Sequence, residues 1–563
     1  MNKVINISGG MLRTWHLVAG LLLMPLMGQA AVSTWTSASG GAWETGADWL
    51  GGVAPSNNIV WITNNLSKTV TISGSTSSDY LTQTNLYVEA PVGYTNTLLL
   101  SGNTSPLVVL GDVVGAGMIG YNANRVGSLV INNGWLSTIG CLNVGNNGIG
   151  LMTVSNGFWT TFQLKVGTAS NSFGKLSLIG GTNMVTSTGV SLQIGLSTGS
   201  VGVVDMSGGL LLATNSPTCH IGAYGIGTMT ISGGKAVITS LNVGYYASSS
   251  GTLNLSGGTL EIASPGTFAA GALSGSTGSV VMTGGVLITT NNAQPNKAVI
   301  GSSGVGSMTI SNGQWFATSF AVGNNSPTNG VTSKGTLTIA GGEIIASASA
   351  NAGYVAGASN NTILITGGLL EAATLACPNG GGNIISNAGG VYQFTPATAI
   401  VITTNGGPVV LNGGTLSFRN FAGASGGTSV DVRGNQTGTA LTNMTFTTGG
   451  QNAFRLNNAT NATTGQSYTF NSGLGATNYV RLELVSGTTC YRGGSATIGS
   501  GGSLLVSNTL VTFISPRLPT PPPVLFWRGP APLRREVTWS GFQDQQLQPP
   551  SDWLHLIPPP PMC

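Results

Sequence analysis

Charge is what this chain has least of: 18 basic and 14 acidic residues are spread over 563 positions, for a formal net charge of +4. Most of that excess sits at the ends, because Ala31 to Phe513 holds 12 basic against 11 acidic residues. No run of Lys or Arg occurs there to neutralise phosphates, so nucleic acid is not an expected partner. Histidine is scarcer still, with His16 and His555 near the termini and His220 alone in the body. One His beside Cys219 falls short of the three or four ligands zinc needs, and no CxxC or HxxxH supplies more, so no metal is expected. Calcium-coiled glycine repeats place an Asp in each turn, and no regular Asp recurs here. No cofactor is expected either.

The five cysteines, Cys141, Cys219, Cys377, Cys490 and Cys563, are too few and too scattered for a disulfide framework. Cys141 and Cys219 precede Gly145 and Gly222 at what looks like the same place in repeats three apart, about 14 Å along a strand stack and beyond disulfide reach. Buried free thiols are expected. Long apolar runs are also missing. The stretch Leu17 to Met27, behind Lys3 and Arg13 and ahead of Gly28-Gln29-Ala30, is too short for a membrane span and reads as a secretory signal over residues 1–30. The mature chain is therefore expected to be exported, secreted or displayed on a bacterial surface, without a transmembrane segment and monomeric.

What is abundant is glycine, 88 residues, and it is periodic. One phrase recurs ten times: GSLVINNG from Gly127, then copies from Gly150, Gly174, Gly202, Gly227, Gly251, Gly278, Gly306 and Gly335, and a degenerate NTILITGG from Asn361. Starts lie 23 to 29 residues apart, the spacing of stacked supersecondary units. In the copy at Gly251, Leu253 and Leu255 alternate with Asn254 as in a strand. Gly257-Gly258 turns the chain, Thr259 to Ile262 gives a second strand, and a third ends at Gly271. Three short strands and three turns per repeat predict an all-β chain, a right-handed parallel β-helix or β-solenoid of coils about 25 residues long.

This rhythm divides the chain. Residues 31–65 carry Trp35, Trp43 and Trp49 and predict a cap over the exposed first coil. The same tryptophans are the one candidate ligand site, a stacking platform for sugar rings. Residues 66–398 are the solenoid, and 399–513 an irregular solenoid or separate β module. Residues 514–563 hold 13 of the 24 prolines and two glycines, and are expected to be a disordered tail or an out-of-frame stretch.

The opening Trp35…Trp43…Trp49-Leu-Gly-Gly-Val-Ala-Pro55 and the GTLTISGG-like phrase together resemble the bacterial autotransporter-associated β-strand repeat proteins, over about residues 32 to 513. The resemblance implies a large exported β-helical surface protein with an adhesive or structural role.

Parallel β-helices also carry polysaccharide lyases and glycosidases, so an enzyme or polysaccharide-binding module on a pectin-lyase-like β-helix is the alternative. Glycoside hydrolysis usually needs two carboxylates within about 10 Å. Glu261 and Glu371 share a position four coils apart, about 19 Å; Glu343 and Asp205 lie elsewhere in their coils, and Lys235 is close to neither Asp205 nor Glu261 in sequence. The longest interruptions, Asn291 to Lys297 and Asn324 to Ser333, contain no acid. No catalytic residue is expected. The expected role is an adhesive or structural surface rod whose partner is an extracellular polysaccharide or a neighbouring or host cell surface.

Overall fold

The computed structural model describes residues 30–111, 115–215, 218–290, 297–324, 333–355, 358–376 and 382–394, and beyond these the backbone of strands only. The chain is a β-solenoid of about twelve stacked turns, nearly all parallel β with essentially no helix. In the coil read above, the strands are Ser250–Leu255, Thr259–Ile262 and Phe268–Ala270. Each pairs in parallel with its counterpart in the coil before and the coil after, so that Gly251 lies beside Gly227 on one side and Gly278 on the other.

Register turns the alternation in sequence into columns along the axis. Leu129, Met152, Leu176, Val204, Met229, Leu253, Val280, Met308 and Leu337 are successive neighbours, all pointing inward and all buried. Burying each such side chain contributes about 1.5–3 kcal/mol, and only stacking makes the burial complete. The inward columns merge into one continuous core from Trp35 to Tyr392.

Glycine is required where the third strand hands over to the next coil. Gly244 has φ +70°, and a Cβ on Gly251 would sit 2.2 Å from the Gly244 nitrogen and 2.2 Å from the Ile221 carbonyl oxygen. At the two ends of this column the residue changes. Lys68 and Asn96 precede Gly127, and Asn361 and Asn383 follow Gly335. Their side chains are buried and bonded to what the turns leave open. Asn96 donates to the carbonyls of Ile62, Asn64 and Glu89, and Asn361 accepts from the Gly335 amide at 2.8 Å. Lys68 Nζ donates to the Ser37 and Asn65 carbonyls, and burial lowers its pKa.

The second corner has two forms. Where the stop reads Asn-Gly, at 133–134, 156–157 and 312–313, pairing runs on through the corner and gives the long strands Val126–Val144, Ile149–Val166 and Val305–Val322. At most Gly-Gly stops the strand breaks, as between Ser250–Leu255 and Thr259–Ile262.

Parallel pairing continues past residue 398. Ala399–Thr403 pairs with Leu369–Ala376 and then with Thr428–Arg433, and the ladder proceeds to Asn452–Asn457 and Thr488–Arg492. One strand, Val524–Trp527, lies within the proline-rich residues 514–563 and pairs with Gly502–Ser507. It occupies the proline-free apolar stretch between Pro523 and Pro530, where every residue keeps its amide. The rest of the tail, residues 1–29 of the expected signal over 1–30, Cys377 and most of the two long interruptions lie outside the described residues.

Candidate functional site

Trp35, Trp43 and Trp49 are 0, 0 and 2 % exposed, which removes them as a sugar-stacking platform. Their rings pack edge to face, Trp35 on Trp49 at 5.0 Å and Trp43 on Trp49 at 5.2 Å. The Trp35 amide donates to the Trp61 carbonyl and the Trp43 amide to the Thr71 carbonyl, so the indoles sit over the interior of the first coil. Each indole N–H is satisfied by a carbonyl, of Ser39, Tyr80 and Trp43 respectively. Ring faces needed for a ligand are instead consumed in closing the core.

The acids of the repeats are placed by the same register. Glu261, Ile288, Phe316, Ile345 and Glu371 are consecutive neighbours, so the two carboxylates stand four coils apart in one column, about 19 Å. Asp205 lies 3.0 Å from Lys175 Nζ, and Glu261 lies 2.8 Å from Lys235 Nζ. Sequence distance hid the second pair. In both, Lys and acid occupy adjacent coils, the acid two residues beyond the partner directly across, a diagonal reached by long side chains. Both pairs are largely solvent-facing, where such contacts contribute about 0–1 kcal/mol. Glu343 accepts a hydrogen bond from Gln314 in the preceding coil. None of these acids is brought beside another as glycoside hydrolysis would need. Among the described residues no group of three or more His, Cys, Asp or Glu could hold a metal ion.

Cys141 and Cys219 are buried free thiols, each with its pKa pushed up to about 11 by burial. They do not share a position. Cys219 pairs with Leu192 and Leu241 in an inward column that contains Leu142, the residue after Cys141. His220 points outward from the same strand yet is 2 % exposed, because Tyr245 from the next turn stacks on it at 4.0 Å. Burial lowers its pKa to about 4, and Nδ1 has no partner.

The outer face of the third strand is where sequence reasoning missed a cluster. Trp61, Tyr87 and Tyr121 form a half-buried aromatic group, Trp61 and Tyr87 stacked at 4.1 Å and Tyr121 edge-on to both. Beside it Glu89, 1 % exposed, accepts from the backbone and side-chain nitrogens of Asn122 and lies 3.5 Å from Arg125 Nε. Arg125 is partly exposed, so the cluster presents aromatic edges and a guanidinium together. The only signal in the sequence is that Trp61 and Tyr87 lie 26 residues apart, a spacing near one repeat.

Among the described residues no helix is long and apolar enough to cross a membrane. Compared with known proteins, the chain matches no family model, no curated protein and no solved structure.

Proposed function

We propose that this chain is an exported structural or adhesive rod of a bacterial surface and has no catalytic task. The observation that carries the reading is the use of the charged side chains. Lys175 and Asp205, Lys235 and Glu261, and Arg125 and Glu89 are each spent on a neighbouring coil, so charge ties rungs together instead of converging on a cleft. A surface of Ser, Thr and Asn columns suits repeated weak contacts with a polyhydroxylated or proteinaceous partner, where avidity over many coils replaces one tight site. The resemblance of the Trp-rich opening and the glycine phrase to autotransporter-associated repeats supports the same direction.

A second reading, a polysaccharide-binding module on the same scaffold, is favoured by the Trp61, Tyr87, Tyr121 and Arg125 group. Amphipathic rings beside a guanidinium suit sugar C–H faces and hydroxyls. The deciding experiment uses the purified chain in three assays: adhesion to immobilised cells, retention on a panel of soluble polysaccharides, and release of reducing ends from the same panel. Surface adhesion without turnover is the expected result. Turnover would overturn the proposal. Retention on one polysaccharide that is lost in Trp61→Ala would replace it with the second reading.

A further inference from the structure

On the turn face of two consecutive coils, Tyr224 and Tyr246 stack with ring centroids 3.9 Å apart and planes within 7° of parallel. The turns themselves are locked in register: the Tyr246 amide donates to the Ala223 carbonyl and the Tyr224 amide to the Leu196 carbonyl, one coil apart in each case. The two rings therefore lie face to face near van der Waals distance, which brings ring carbons of one over those of the other. Tyr224 is 41 % exposed, so a small oxidant reaches it and the ring has room to rotate. No other tyrosine pair has this geometry among the described residues. Tyr245 meets Tyr246 at 73° and Tyr87 meets Tyr121 at 72°, edge to face, which holds the ortho carbons apart.

We infer that Tyr224 and Tyr246 are a modification site, coupled to dityrosine by a peroxidase-type one-electron oxidant with hydrogen peroxide as terminal acceptor. Each phenol loses one electron and its hydroxyl proton to give a phenoxyl radical. The two radicals join through a new carbon–carbon bond between ortho carbons, and the ring protons at those carbons move to the oxygens and restore both phenols. The two electrons and two protons released reduce one hydrogen peroxide to two waters. The product is a covalent staple between adjacent coils, which removes conformational freedom from the unfolded chain as any cross-link does. It stands apart from the proposed surface role, since the coupling depends only on the stacked pair.

The test treats the purified full chain with a peroxidase and limiting hydrogen peroxide, then reads dityrosine emission, chain mass under denaturing conditions, and tryptic fragments. Lys175, Lys235 and Lys297 bound the fragments 176–235 and 236–297, which carry the two tyrosines separately. The expected product is a single chain whose two fragments run as one species, lighter than their sum by two hydrogens. Tyr224→Phe and Tyr246→Phe keep the ring stack and should each abolish that species, whereas Tyr245→Phe should leave it. Far-UV circular dichroism of the Phe variants verifies that they fold. Emission without the linked fragments, emission surviving in Tyr224→Phe, coupling only between chains, or no dityrosine at all would each overturn the inference.

Discussion

At the scale of single residues, the third strand holds the surprises. An LNVG-like pattern marks the middle residue as solvent-facing, and alternation does point it outward. His220, Asn143 and Asn242 are nevertheless buried, because the following turn folds back over that face. Nothing in a period-two pattern reports what covers the outside of a sheet. His220 pays the penalty in proton affinity: its pKa is lowered to about 4 by burial, against about 6.5 in an unfolded chain. Below about pH 6.5 the unfolded chain takes up a proton that the folded chain refuses until about pH 4, so stability falls as pH falls through that window and is unaffected by His220 above it. Urea unfolding followed from pH 7 to pH 4 should show a loss approaching about 1.4 kcal/mol per pH unit that His220→Gln lacks. Identical pH profiles for the two proteins would refute this account. The inward columns hold a second oddity. Asn183 lies between Trp159 and Leu211 in an otherwise apolar column, and Asn183 Oδ1 and Trp159 Nε1 are both buried without partners. Asn183 Nδ2 donates to the Leu210 carbonyl of the next coil at 2.9 Å.

At the scale of the element, the repeat was largely legible. Three strands per coil, the double-glycine turn and the inward alternation follow from spacing and from the steric freedom of glycine. What spacing could not separate was a glycine needed for its φ from one needed for its size. Gly251 is of the second kind, since a Cβ would strike backbone atoms of the preceding turn, which cannot move aside. Gly251→Ala should therefore lower stability by at least about 1–3 kcal/mol, the cost of overpacking a filled space. Asn361, four coils on in the same column, should lose stability from the reverse kind of substitution, to glycine. Asn361→Gly removes bonds to the Gly335 amide and to Asn383, at about 1 kcal/mol each, although it introduces the residue common to the rest of the column. Denaturant midpoints of the two variants test both, and a neutral Gly251→Ala would show that the turn relaxes. The placement of Cys219 also escaped the sequence. Cys219 stands three residues before its turn glycine and Cys141 four, and that single residue moves the two thiols to different columns.

At the scale of the whole molecule, the fold class could be read from the period, and the pairing partners of each charged residue could not. The diagonals that join Lys175 to Asp205 and Lys235 to Glu261 exist only once coils are stacked. Because each coil meets only its neighbours, removing one whole repeat should leave a folded, slightly shorter rod. Deleting residues 251–277 joins Ser250 to Gly278, and since Ser250 already lies beside Thr277, the register is preserved. That variant should melt cooperatively and shorten by about 4.8 Å in solution scattering. Deleting residues 251–263 instead removes part of a coil, throws the inward columns out of step and should abolish cooperative melting. Equal behaviour of the two deletions would contradict the column description. Such interchangeability creates an indexing problem during folding, because a coil displaced by one full repeat would find almost the same partners. Lys68, Asn96, Asn361 and Asn383 answer it. A one-coil offset toward the middle of the rod would drive Asn96 or Asn361 into a site that holds nothing larger than hydrogen, and Lys68 or Asn383 into one occupied by an asparagine. The four polar residues thus act as bookmarks at either end of a monotonous text, telling the chain which line it is on.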